Sequence, residues 1–148
     1  MILDKLTQLS AAQAITSADA YGGSVYDCGN VTPKRRIGAG TPLSIVVAVT
    51  TAAAGDGASF TDTFDFMAVQ SVNENLSSHT VMIQRRIAGA SLVAGLVFEL
   101  PIPADMPTAR WIGVRYELGT DDTVSVSAWI VPREHVQAFM AYAKGYVE

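Results

Sequence analysis

Reactive side chains are sparse in this sequence. His79 and His135 stand far apart, with no carboxylate at a ligand spacing around either, so each reads as a polar structural residue, not a base or a metal ligand. Cys28 is the single cysteine. One thiol builds neither an internal disulfide framework nor a cysteine-based zinc site, and it reads as a small buried group. Gly38-Ala39-Gly40 lacks the Gly-Lys-Ser/Thr that completes a phosphate loop, and Gly55-Asp56-Gly57 runs into Ala58, Ser59 and Phe60 instead of a helix, so both are read as turns. Asp56, Asp62 and Asp65 lack the dense Asp/Asn alternation and closing Glu of a calcium loop. Asn75-Leu76-Ser77 has the form of a glycosylation acceptor, which matters only to an exported chain. The expectation is a protein that is not an enzyme, with no catalytic residue, no cofactor and no metal.

Charge narrows the partners. The chain carries 14 acidic and 10 basic residues, a net charge of -4, opposite in sign to a phosphate-binding surface, so no nucleic-acid partner is expected. Two basic clusters stand out, Lys34-Arg35-Arg36 and Arg85-Arg86. Three readings are open for them: a nucleic-acid contact, ion-pair donors toward an acidic protein partner, or solvated loop. Arg35 and Arg36 are retained as interface candidates because a guanidinium pairs a carboxylate in two-pronged fashion. Charged residues make up only 16% of the chain, and Ala, Gly, Ser and Thr are abundant, which predicts a weakly polar surface suited to burial against other protein. No apolar run reaches the roughly 18 to 20 residues of a membrane span, since Leu43 to Val49 ends at Thr50 and Thr51; no membrane partner is expected. Asp4 and Lys5 directly follow Ile2 and Leu3, unlike a secretory signal, so synthesis in the cytoplasm is expected.

The elements that must position these residues follow a period of two, punctuated at short intervals by Gly, Pro, Asn and Asp, the pattern of an all-β sandwich or barrel. Strands are predicted over Ser24 to Cys28, Leu43 to Thr50, Thr63 to Val72, His79 to Ile87, Leu96 to Leu100, Arg110 to Leu118 and Thr123 to Val131, with turns between them that include Asn73 to Ser78 and Gly119 to Asp122. Leu43 to Val49 is apolar on both faces and should be a central, doubly covered strand. Ile112, Val114, Tyr116 and Leu118 share one face, as do Val124, Val126, Ala128 and Ile130, and the two strands read as a hairpin. Met1 to Tyr21, poor in large apolar residues after Leu9, reads as an N-terminal arm, with a short helix over Ser10 to Ala14 as its rival. Beyond Pro132, the helical spacing of Val136, Phe139, Met140 and Ala143 allows a short C-terminal helix, with an extended arm as its rival. One domain is expected for 148 residues.

Several segments, taken in order, resemble the capsid cement, or decoration, proteins of tailed bacteriophages: Met1-Ile2-Leu3-Asp4-Lys5, Ala12-Gln13-Ala14-Ile15-Thr16, Ile37-Gly38-Ala39-Gly40-Thr41-Pro42-Leu43, Arg115-Tyr116 with Gly119-Thr120, and Tyr142-Ala143-Lys144-Gly145-Tyr146. The resemblance implies a β-sandwich of jelly-roll type that binds the outside of a shell of major capsid protein as an oligomer, bridges neighbouring capsomers in the virion, and performs no catalysis. The Thr51 to Phe60 loop and the doubled Arg85-Arg86 depart from it.

Two rivals remain. One is a carbohydrate- or receptor-binding β-sandwich of a tail or adhesin, using Trp111 and Trp129 as a stacking platform; the other is a cupin-like metalloenzyme, for which two distant histidines are too few. For the favoured reading, the expected contacts are Ile2, Leu3, Leu6 and Leu9 of the arm, Arg35 and Arg36, and the pair Trp111 and Trp129 with Arg115 beside it. A hairpin register summing to 240 sets the two indoles directly across from each other on the face away from the regular apolar side, with the rival reading that both faces are core within a sandwich. Short two-sided strands with few charges also predict self-association, as a dimer or trimer.

Overall fold

Apolar residues on both faces of Leu43 to Val49 demand cover from two sides, and the computed structural model shows how it is supplied. It describes residues 7–16, 19–29, 42–55, 63–103, 109–119 and 122–138. Among the described residues nine strands are formed: β1 (Gln8–Ile15), β2 (Asp19–Tyr21), β3 (Tyr26–Asp27), β4 (Leu43–Ala54), β5 (Thr63–Ser71), β6 (Thr80–Ala88), β7 (Val97–Pro101), β8 (Trp111–Glu117) and β9 (Thr123–Pro132). One sheet has the order β1-β9-β4-β7 and the other β2-β8-β5-β6, with β3 continuing the β2 edge along β8. Every pairing is antiparallel. Apart from the β5–β6 hairpin and the broken β2–β3 edge, each connection crosses from one sheet to the other, which is the double Greek key of a jelly roll. The all-β jelly-roll expectation holds.

The period-two reading assigns the core faces correctly. Ile112, Val114, Tyr116 and Leu118 of the β8 segment and Val124, Val126, Ala128 and Ile130 of β9 all enter one core with Ile45, Val47, Val49, Phe64 and Phe66. β4 lies between β9 and β7, and its other face, Val46 and Ala48, is buried in a separate patch with Val97, Trp129, Val131 and Val136.

The expected β8–β9 hairpin does not form. β8 pairs with β2, β3 and β5, and β9 with β1 and β4, so the two strands face each other across the core. Alternation fixes which face of each strand is buried but not whether its neighbour lies in the same sheet or the opposite one. Here the twelve-residue β4 needs a long flanking strand, and the ten-residue β9 provides it. The chain turns between them on mutual bonds of Gly119 and Asp122: the Gly119 N–H donates to Asp122 Oδ2 (3.0 Å) and the Asp122 N–H to Gly119 O (3.3 Å).

The N-terminal segment is likewise corrected. From Gln8 it is no arm: β1 pairs along β9, and Leu9 and Ile15 are core residues, each 1% exposed. The strand escapes a period-two reading because its register shifts twice, between Gln8 and Ser10 and between Ser10 and Gln13, with Ala12 at φ 44°. Residues 1–6 lie outside the described set. At the other end, the described tail after Pro132 turns through a 3-10 segment, Arg133–His135, into helical backbone at Val136. Residues 139–148, where the expected helix would continue, are likewise outside the described set.

A chain of polar contacts seals the β1–β2 side. The buried Tyr116 hydroxyl is 2.8 Å from Ser10 Oγ, which donates to Gln13 Oε1 (2.9 Å). The same oxygen accepts the Gly23 N–H (2.9 Å), while Gln13 Nε2 donates to Tyr21 O (2.8 Å). Gly22 donates to Val114 O and Ser24 to Leu9 O, one bond to each sheet. Glycine is required at 22, where a Cβ would stand 2.8 Å from Leu9 O and 2.7 Å from a Val114 methyl. On the opposite side Arg85 of β6 reaches Glu99 O of β7 (3.3 Å) and lies over the Phe98 ring at 5.2 Å.

Because Tyr116 is wholly buried, its hydroxyl cannot fall back on water. Ser10→Ala therefore lowers stability by about 1–3 kcal/mol, whereas Tyr116→Phe, which leaves Ser10 bonded to Gln13, costs about 1 kcal/mol. Denaturant unfolding of the two variants measures the difference, and a Tyr116→Phe variant as unstable as Ser10→Ala would contradict the account.

Candidate interaction surface

The β5–β6 connection does not project into solvent but folds back over the outer face of its own sheet. Ser71 Oγ donates to Ser77 O (2.6 Å) and accepts the Asn73 N–H (3.0 Å). Asn73 Nδ2 donates to Ser77 O (3.3 Å), Ser77 N–H to Asn75 Oδ1 (3.0 Å), and Leu76 N–H to Asn73 O (3.0 Å). Leu76 (φ 59°) and Ser78 (φ 54°) both take the left-handed conformation, which for such residues costs roughly 1–3 kcal/mol each. Burial of the Leu76 side chain offsets that strain. It packs with Met67 and Val69 against Tyr21, Val25 and Trp111, and closes over Gly113 so tightly that a Cβ there would stand 2.4 Å from Leu76 Cδ1.

Around this anchor the arginines of the face are paired. Arg110 holds Asp27 through two bonds (2.8 and 2.9 Å) and lies over the Trp111 ring at 4.6 Å. That guanidinium, helped by the Gly29 N–H, lowers the Asp27 carboxyl to about 2. Arg115 bonds both Asp19 and Glu117 (3.1 Å each) and covers Tyr21, whose hydroxyl meets His79 Nδ1 at 2.7 Å. Arg86 holds Asp65 through two bonds (2.8 and 3.0 Å), and this pairing lowers the Asp65 carboxyl. Both side chains of Arg85-Arg86 are engaged within the chain, Arg85 with Glu99 O and the Phe98 ring and Arg86 with Asp65. Glu74, at the crest of the loop, makes no ion pair or hydrogen bond among the described residues. The Glu74–Asn75 ridge separates two open hollows of about 470 and 520 Å³, both bordered by Trp111. Val72, beside them, is 69% exposed.

The expected contact residues are distributed differently from the expectation. Ile2, Leu3, Leu6, Arg35 and Arg36 fall outside the described residues. Leu9 is core and cannot dock on a neighbour. Trp111 and Trp129 are not opposed. Trp111 sits across from Ser71 and Asp27 on the outer face of one sheet, and Trp129 across from Gln8 and Val46 on the outer face of the other. Trp129 is 7% exposed within the Val46–Val136 patch, so no stacking platform of two indoles exists. Arg115, the expected anchor, lies over Tyr21 and is already shared by two carboxylates. The 71–79 ridge was legible only as a turn; its signal was a lone leucine amid Asn and Ser.

Cys28 is buried, and desolvation, with the charge of Asp27, pushes its thiol up to about 12, which makes it unreactive. Among the described residues no cluster of three or more His, Cys, Asp or Glu could hold a metal.

The model of the Bbp16 family matches residues 9–128, from β1 into β9 and across all nine strands. No curated protein matches the chain.

Two outcomes follow from this geometry. The Asp27 carboxyl, with a folded value near 2 against 3.8 for the free group, contributes to stability fully above pH 3.8, and the contribution is lost as pH falls through about 2. NMR titration finds its midpoint near 2 and finds it raised toward the ordinary value in Arg110→Ala, where the Gly29 N–H still favours the charged form. Gly113→Ala displaces Leu76 and costs about 1–3 kcal/mol. Leu76→Ala alone costs about 2–5 kcal/mol. The double variant, in which the clash is relieved, loses less than the sum, and simple additivity in chemical unfolding would refute the contact.

Proposed function

The chain belongs to the Bbp16 family, and from that premise we propose that it is a structural virion protein that binds the outer surface of a phage capsid and cements neighbouring capsomers. The observation that carries this reading is the preorganised 71–79 ridge. Backbone strain and hydrogen bonds hold an exposed Val72 and the Glu74–Asn75 crest rigid beside open hollows, over a sheet whose arginines are already paired. A rigid loop on a closed jelly roll presents a contact without an ordering cost at each binding event. The order of cement-like segments along the sequence and the small share of charged residues support the same reading.

Cementing needs no chemistry. A subunit that binds the assembled lattice and not its loose parts stabilises the lattice by mass action, and many modest contacts add through multivalency. The partners under this proposal are the major capsid protein and further copies of the chain, and the site of action is the virion exterior. The carbohydrate-binding alternative loses its main support with the separation of Trp111 from Trp129.

Mixed with purified capsids of the phage that carries its gene, the chain pellets with them and raises the temperature at which they release DNA. Free in solution it scatters light with a mass that is a multiple of 15.7 kDa. A chain that stays in the supernatant and leaves capsid stability unchanged refutes the proposal.

A further inference from the structure

We infer that the Glu74–Asn75 ridge is the part of the molecule that meets the shell, and that what it receives there is a basic side chain of a protein partner. The inference rests on the virion reading above and adds the site and its chemistry. Charge balance on this face leads to it. Arg110 is neutralised by Asp27 and Arg86 by Asp65, while Arg115 serves two carboxylates, Asp19 and Glu117. The described charges of the face thus leave an excess of acid. Glu74, exposed at its crest, makes no ion pair among the described residues, although its charge is felt at Arg110. A lysine or arginine from outside is the complement. The hollows on either side of the ridge, about 470 and 520 Å³, have room for a long side chain.

A saccharide fits the same place less well. Arg110 already lies over the Trp111 ring, and the Met67–Val69–Leu76 cluster packs against that indole, so a sugar stacking on the Arg110 side would have to break the two bonds from Arg110 to Asp27. A cation needs no such rearrangement. It adds to a loop already fixed by its own hydrogen bonds, and the nearby Val72 supplies an apolar rim.

The test compares binding to purified capsids of the parent phage by the unaltered chain, Glu74→Gln, Glu74→Arg and a control, Glu134→Gln, which removes an exposed charge from the C-terminal turn. Melting curves establish that all four are folded. Glu74→Gln weakens binding roughly tenfold and flattens its salt dependence, Glu74→Arg abolishes pelleting, and Glu134→Gln binds as the unaltered chain does. Glu74 variants that bind like the control overturn the inference and leave the virion reading standing. Failure of the unaltered chain to bind overturns both. Retention on immobilised neutral glycans that Glu74→Gln abolishes assigns the ridge to a saccharide and overturns the inference as well.

Discussion

A tyrosine hydroxyl shut away from water sets the terms for one whole side of this molecule. Tyr116 lies in the centre of the core, its ring edge-on to Phe66, and its oxygen finds Ser10 on the opposite sheet. Leaving that hydroxyl unbonded would cost about as much as burying one large apolar side chain gains, so the serine must face inward. An inward serine beside the core residue Leu9 requires β1 to depart from simple alternation, and the strand does so with its register shifts. Gln13 then passes the satisfaction on to the turn at Tyr21 to Gly23, and that turn draws the edges of the two sheets together. Sealing the edge and satisfying the hydroxyl are one arrangement.

This explains which parts of the fold could be read from the residues. β4 to β9 follow the rule that side chains alternate, and their positions agree with the sequence to within a few residues. β1 follows a polar rule instead, set by a hydroxyl more than a hundred residues away, and local periodicity has no access to it. The false hairpin has a related origin. Alternation on Trp111–Glu117 and Thr123–Pro132 is satisfied equally by neighbours in one sheet and by strands facing across a core, and the decision lies with β4, which is distant in sequence but needs β9 beside it. The candidate surface was half legible for the same reason. Trp111 stands out as a large residue on an outward position, whereas Leu76 acquires its meaning only when Gly113 lies beneath it.

The arginines show a parallel economy. Each of the three on the second sheet's outer face is held by a carboxylate brought from a different part of the chain: Asp27 before β4, Asp65 on β5, and Asp19 with Glu117 from β2 and β8. Exposed pairs of this kind add little stability one by one. Their effect here is on shape, because a guanidinium fixed by two bonds covers aromatic surface, as Arg110 covers Trp111 and Arg115 covers Tyr21. The face thereby covers part of its aromatic surface without a second layer of protein.

Separation of the two indoles onto opposite sheets also makes them independent reporters. Trp129, shut within an apolar patch, emits toward the blue. Trp111, half in water beside a guanidinium, emits further to the red and is the one open to soluble quenchers. The chain thus carries one lamp for the tail-side layer of the sandwich and another for the ridge, and the colour of a change in its emission identifies which face has been covered.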